Sequence, residues 1–227
     1  QEGLSTRSVS SPIEPKWLQL LRLSLVVMRC QPLRRALCQL GGVMKPIFTI
    51  HAGEFLVGSH LEQTFGKKIN VWIPSKDTGV DFLLTDSSNQ KTTSIQVKFS
   101  RDFLITNSTD LQQETLLSCG WWTLNREKIE SSKAEFWVFV VYTFNENNVH
   151  FIVIQTDELL RRINLIHPDA KKFQTYLWVT KDEECWEVRG LKISEQNRIL
   201  NKEESISEER DFSKFLNNWE PLLQKLA

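Results

Sequence analysis

Val80-Asp81-Phe82-Leu83-Leu84-Thr85, the polar turn Ser87-Ser88-Asn89-Gln90, and Thr92-Thr93-Ser94-Ile95-Gln96-Val97-Lys98-Phe99 read as the two strands of one hairpin. Apolar and β-branched runs bounded by turn residues are the mark of such a unit. Side chains alternate along a strand, so Ile95, Val97 and Phe99 point one way and Ser94, Gln96 and Lys98 the other. A two-residue loop at Ser88-Asn89 sets Asp81 across from Gln96, and a loop at Asn89-Gln90 sets it across from Lys98. In both registers Asp81 shares a face with Gln96 and Lys98. A carboxylate, an amide and an ammonium then converge within side-chain reach.

Upstream, residues 49–65 carry Glu54, Gly58, Leu61 and Phe65 at i, i+4, i+7 and i+11, one face of a helix. On that face Glu54 points inward, where a charge must be paired or ligate a metal. Ile69 to Ile73 predicts a strand stopped by Pro74, and Lys76-Asp77-Thr78-Gly79 a turn.

Downstream the chain reads as helical or irregular to Cys119, with Gly120-Trp121-Trp122 as punctuation and a short helix at Glu127–Ser131. Glu135–Thr143 is almost continuously apolar, as in a strand buried on both faces. Asn145-Glu146-Asn147-Asn148 turns it into a strand at His150–Gln155. Thr156 then caps a helix with Asp157 and Glu158 in its first turn and Leu159, Leu160 and Ile163 inside. Residues 175–189 hold one or two edge strands. Ser205 and Glu208 have capping-box spacing. Phe212, Phe215, Leu216, Trp219 and Leu223 make one apolar stripe on a C-terminal amphipathic helix, 208–226, kinked at Pro221. Strands and helices mixed in one unit predict an α/β fold, a mixed β-sheet flanked by helices.

The 227 residues are 41% apolar and 25% charged, with 28 basic and 28 acidic side chains, so the chain is neither disordered nor globally polyanion-seeking. A local basic groove remains compatible with that balance. Cys30, Cys38, Cys119 and Cys185 lack C-x-x-C spacing, which argues against a zinc site or a disulfide framework and for a reducing, cytoplasmic setting. Residues 1–43 carry Arg7, Lys16, Arg22, Arg29, Arg34 and Arg35 against Glu2 and Glu14. They read as a basic, weakly structured N-terminal extension, and 44–227, opening at Met44, as the domain. Trp17–Met28 is too short and too interrupted to span a bilayer, so no membrane partner is expected.

Gly53-Glu54-Phe55-Leu56-Val57 on a helix, Gly79-Val80-Asp81 on a strand and Gln96-Val97-Lys98 on the next resemble the PD-(D/E)xK nucleases. Within that superfamily the order is most similar to Mrr-like and Holliday-junction-resolvase-like members. The resemblance covers residues 50–101 and implies a restriction-endonuclease-like core. Val80 stands where the family has Pro, and Gln96 where Asp or Glu is usual, which removes one negative ligand. The resemblance implies a Mg²⁺-dependent DNA endonuclease in restriction or repair, Mn²⁺ serving as a substitute. Its catalytic set would be Glu54, Asp81, Gln96 and Lys98. Its metal ligands would be Asp81, Gln96 through its amide oxygen, the Val97 carbonyl and Glu54. Lys98 would position or deprotonate the attacking water. The plainer reading is that Glu54 pairs with Lys98 or Lys76 and that Asp81 caps the turn after Gly79.

Ser100 and Arg101 are candidates for phosphate contact. Lys67-Lys68, Arg161-Arg162 and Lys171-Lys172 are basic pairs of the kind that line a DNA groove or a solvated face. Trp121-Trp122 could stack on bases, although aromatics beside buried strands usually fill a core. His51 and His60, nine apart, fall on different sides of the helix and do not form a paired metal site. No Ser-His-Asp triad, P-loop or dinucleotide fingerprint is visible. Two other classes stand beside the enzyme: a catalytically weak nuclease-fold subunit for DNA binding or assembly, and an interaction protein whose charged cluster is structural. A homodimer or a larger restriction or defence assembly would suit double-strand cutting.

Overall fold

The hairpin exists in the first of the two registers. Phe82 pairs with Ile95 and Thr85 with Thr92, so Asp81 falls opposite Gln96. The Asp86 carboxylate closes the turn by accepting from the backbone N–H groups of Gln90 and Lys91, each at 2.7 Å. This is a computed structural model, and it describes residues 47–76, 78–103, 108–143, 148–203 and 207–227. The N-terminal extension, Met44, Asp77 of the predicted turn, residues 145–147, Ser205 of the predicted capping box and the His51 side chain lie outside the described residues.

In chain order the elements are α1 (Ile47–Phe65), β1 (Ile69–Trp72), β2 (Phe82–Asp86), β3 (Thr92–Arg101), α2 (Asp110–Thr115), β4 (Leu116–Asn125), α3 (Arg126–Glu130), β5 (Phe136–Thr143), β6 (Asn148–Gln155), α4 (Thr156–Ile166), β7 (Lys172–Thr180), β8 (Cys185–Glu187), α5 (Ile193–Leu200) and α6 (Glu220–Leu226). Thr49–Ala227 pack as one unit. A five-stranded sheet has the order β1-β2-β3-β5-β6, and a three-stranded sheet the order β4-β7-β8. β1, β2 and β3 form an antiparallel meander, β5 joins β3 in parallel, and β6 returns antiparallel to β5. The parallel pair requires a crossover, and α2, β4 and α3 provide it. The fold is therefore mixed α/β with helices flanking a mixed sheet. Among the described residues no helix is long and apolar enough to cross a membrane.

All eight residues of β5 are buried, because the large sheet is covered on both faces. On one face Val57 and Leu61 of α1 and Leu222 and Leu226 of α6 pack on Ile95, Val97, Val138 and Val140. On the other, Trp137, Phe139, Ile152 and Ile154 meet Trp122 and Leu124 of β4, Phe173 and Leu177 of β7, and Leu159 and Ile163 of α4. A smaller cluster lies beyond the second sheet, where Ile199 and Leu200 of α5 cover Cys119 and Trp178.

Five sequence expectations change. Residues 116–125 form a ten-residue strand rather than punctuation, and of the strands within 175–189 β8 lies at an edge as expected while β7 is the middle strand. The inward stripe of α1 is Gly53-Val57-Leu61, which leaves Glu54 at its margin, half-buried. Thr156 is the first residue of α4 rather than its cap; its hydroxyl donates to the Ala134 carbonyl at 2.5 Å. The single C-terminal helix is replaced by short 3₁₀ turns at Glu208–Arg210 and Ser213–Phe215, a left-handed Asn217 (φ 51°), and α6, which begins at Glu220 and carries Pro221 in its first turn rather than at a kink. Phe212, Phe215 and Leu216 serve the second apolar layer and Trp219 and Leu223 the first, so no single helix face could place them.

The segment 211–217 runs along the outer edge of β6. Leu216 forms an isolated bridge with Ile152, and Asn217 bonds both backbone groups of Phe151. Arg162, 1% exposed, anchors this segment. It pairs with Glu158 at 2.8 Å and directs Nη1 at the carbonyls of Glu208, Glu209 and Asp211. Of the pair Arg161-Arg162, read as lining a DNA groove or a solvated face, Arg162 does neither, because it is interior.

Candidate active site

Asp81 sits one residue ahead of β2, where the β2–β3 ladder ends. Its N–H donates to the Ile95 carbonyl at 2.8 Å, which holds the residue in line with the strand. Gly79, at φ +79°, makes the turn that delivers it. Asp81 Oδ2 accepts from Gln96 Nε2 at 2.5 Å and from the Val97 N–H at 2.6 Å. Oδ1 takes no hydrogen bond among the described residues.

The Val97 N–H points to the β2 side of β3, and its carbonyl projects to the same side, as both groups of one strand residue do. At that level β2 has already ended, so the carbonyl faces the mouth of the hairpin beside Asp81. Lys98, half-buried, places Nζ 5.2 Å from the Trp137 ring centroid and acts on Asp81 as a nearby positive charge. Glu54 belongs to α1, which packs on the Val97 and Phe99 face of β3, opposite the face of Gln96 and Lys98: a Cβ on Gly53 would stand 2.7 Å from Phe99 Cβ. Burial pushes the Asp81 carboxyl above its usual range. The Val97 N–H and Lys98 oppose that shift, the Glu54 charge adds to it, and the Gln96 amide opposes it. A carboxylate left uncompensated by two hydrogen bonds and an ammonium is one that a cation would stabilise.

These donors fit a hard divalent ion in part. Asp81 Oδ1, the Val97 carbonyl and Glu54 are oxygen donors of the kind Mg²⁺ takes. Gln96, 9% exposed, turns its amide nitrogen to Asp81, while its Oε1 lies 3.6 Å from where a Gly79 Cβ would be. It would ligate only after its amide rotates. Among the described residues no group of three or more His, Cys, Asp or Glu side chains could hold a metal.

The neighbouring candidates divide. Ser100 is buried, and its hydroxyl is used within the fold, donating to the Arg101 carbonyl and accepting from the Trp121 N–H at 3.0 Å. Arg101 is exposed, with its guanidinium stacked 4.9 Å from the Phe103 ring centroid. Lys67, Lys68, Lys171 and Lys172 are exposed. Trp122 is core, whereas Trp121 faces out of the second sheet beside Tyr176, a distinction that strand alternation would have drawn had β4 been recognised. His60 is sandwiched among Phe151, Phe65 and Trp219, and burial lowers its pKa, so it is a packing residue. No family model matches the chain, and no curated protein compared with it matches.

Proposed function

We propose that the chain is a Mg²⁺-dependent nuclease that hydrolyses phosphodiester bonds of DNA on a restriction-endonuclease-like core. The observation that carries the reading is the clamp on Asp81: Oδ2 is fixed by Gln96 and Val97, Oδ1 takes no hydrogen bond among the described residues, and Lys98 and Glu54 act on the same carboxylate. The element order supports it too, a helix, a three-stranded meander, a crossover and a strand parallel to the third. Bound there, the ion would neutralise charge on the scissile phosphate and lower the pKa of a coordinated water.

The protein's own part follows from its side chains. Asp81 Oδ1 and the Val97 carbonyl are the atoms that would hold the ion beside β3. Glu54 would add a second negative charge near it. Lys98, held at the Trp137 ring, would orient the attacking water and offset negative charge that develops on the phosphate.

Gln96 favours a second reading, a nuclease-fold subunit that binds or assembles on DNA with weak catalysis, because a neutral amide stands where a charged ligand would bind the ion more tightly. The test is incubation of the purified protein with supercoiled, linear, branched and single-stranded DNA, with Mg²⁺ and with chelator. Cleavage in Mg²⁺ that Asp81→Ala and Lys98→Ala both abolish supports the enzyme. Binding without cleavage on every substrate supports the subunit.

A further inference from the structure

The outer face of the three-stranded sheet carries a second cluster with its own chemistry. On β4 and β7, Trp121 pairs with Tyr176, Thr123 with Gln174 and Asn125 with Lys172, and alternation sets these side chains on the face away from the large sheet. Trp121 and Tyr176 are half-buried and nearly parallel, with ring centroids 6.2 Å apart and 22° between planes. Phe103 meets Trp121 edge-on at 5.7 Å, and the exposed Arg189 lays its guanidinium 5.4 Å from the Tyr176 centroid.

These rings line a cleft of about 560 Å³ closed at one end by α2 and α5. A second cleft of about 700 Å³ adjoins it, sharing Arg189 and Gly190, and runs past Gln174, Lys172 and Arg210. Arg210 is held at its inner wall by Glu187, which is 2% exposed. Among the described residues no Asp or Glu lines either cleft. Trp121 Nε1 and Ser108 Oγ, both on the first cleft, are buried without a hydrogen-bond partner among the described residues.

Flat rings, an arginine lying over one of them, and a path leading away past the exposed Lys172 and past Arg210, whose charge Glu187 matches from within, fit one class of ligand. We propose that this face binds single-stranded nucleic acid, one unpaired base stacking on Trp121 and Tyr176 beside Arg189 and the backbone phosphates following Lys172 and Arg210. Stacking on aromatic side chains is available to any base and requires it to be unpaired, whereas a duplex keeps its base faces covered. The site is distinct from the Asp81 cluster and does not depend on cleavage there.

Fluorescence anisotropy of labelled twelve-nucleotide single strands, DNA and RNA in separate arms, with a matched duplex as competitor, tests this on the full chain in chelator. The expected result is binding to single strands at least tenfold tighter than to duplex, weakening with salt. Trp121→Leu should weaken it roughly tenfold or more. Lys172→Ala should lower the magnitude of the salt slope by about 0.7. Arg189→Ala, at an exposed position, should weaken binding without disturbing the fold, and it covers the case in which Trp121→Leu fails to fold. No binding to either strand type, or binding that Arg189→Ala and Lys172→Ala leave unchanged, overturns the proposal. Asp81→Asn should bind as the wild type does. Retained single-strand binding in a protein that cleaves nothing in Mg²⁺ would remove the proposed activity and leave this site standing.

Discussion

The Val97 N–H donates a 2.6 Å hydrogen bond to Asp81 Oδ2, and this bond ties the middle of β3 to the residue that precedes β2. It does not offset the burial of the carboxylate, whose pKa stays above the usual range. The folded state therefore holds the Asp81 proton to higher pH than the unfolded chain does. Ionised Asp81 opposes folding at neutral pH, and the opposition fades as pH falls through its folded-state pKa. Asp81→Asn keeps an acceptor for Val97 and removes the charge. Its melting temperature in chelator at pH 7 should exceed that of the wild type by roughly 1–3 °C. The gain should shrink at low pH, and Mg²⁺ should raise the wild-type Tm alone. A lower Tm for the variant at pH 7 would contradict this account.

Lys98 and Gln96 separate metal binding from chemistry. Lys98→Ala should lower cleavage by roughly 10²–10⁴-fold while Mg²⁺ still shifts the melting curve. Gln96→Glu should bind Mg²⁺ more tightly in calorimetry. It should also lower apo stability, since a second carboxylate then faces Asp81 Oδ2 in place of the amide that now donates to it. Equal cleavage by wild type and Lys98→Ala would take Lys98 out of the mechanism.

At Gly53 a methyl group would stand 2.7 Å from Phe99 Cβ and 3.2 Å from Val97 Cγ1. The first clash is with a rigid part of β3, so Gly53→Ala must lift α1 and Glu54 away from the sheet. Chemical denaturation should show a loss of about 1–3 kcal/mol despite the better helix propensity of Ala. The variant's nuclease activity should fall with it.

Glu158 is held down to about 2, first by its bond from Arg161 and then by Arg162. A depressed carboxyl contributes stability that is present above its ordinary value of 4.5 and is lost as pH falls through about 2. Glu158→Gln should therefore show a shallower loss of Tm across that acid window. Arg162→Met removes the donor facing three carbonyls of the C-terminal segment and should cost on the order of 2–4 kcal/mol in urea. An effect below about 0.5 kcal/mol would show that Arg162 does not anchor that segment.

The hairpin and its polar face were legible because β-branched runs and a four-residue polar turn restrict the register to two choices, both of which group Asp81 with Gln96 and Lys98. β5 was legible because burial on both faces leaves an unbroken apolar run. β4 was not, since Gly120 in the middle of a strand resembles a turn. Gly120 is there because the Trp122 ring and Val141 Cγ2 occupy the space a side chain would need. The outward role of Trp121 was hidden for the same reason. The final segment misled because residues at helical spacing serve two layers, a partition set by the tertiary path at Asn217. Nothing in Arg161-Arg162 tells which arginine is interior, because the carbonyls that Arg162 meets lie some 46 to 49 residues further along.

The passage of residues 211–217 along β6 bears on how the chain grows during synthesis. Phe212 and Leu216 complete one apolar layer and Trp219, Leu222 and Leu226 the other, while Asn217 satisfies the backbone of Phe151 between them. One layer stays unfilled until translation has passed Leu216 and the other until it has passed Leu226, and β6 presents an unpaired edge until Leu216 and Asn217 are in place. A ribosome-bound intermediate stalled before Phe212 would thus expose a hydrogen-bonding strand rim flanked by incomplete apolar surface, the kind of surface that chaperones bind.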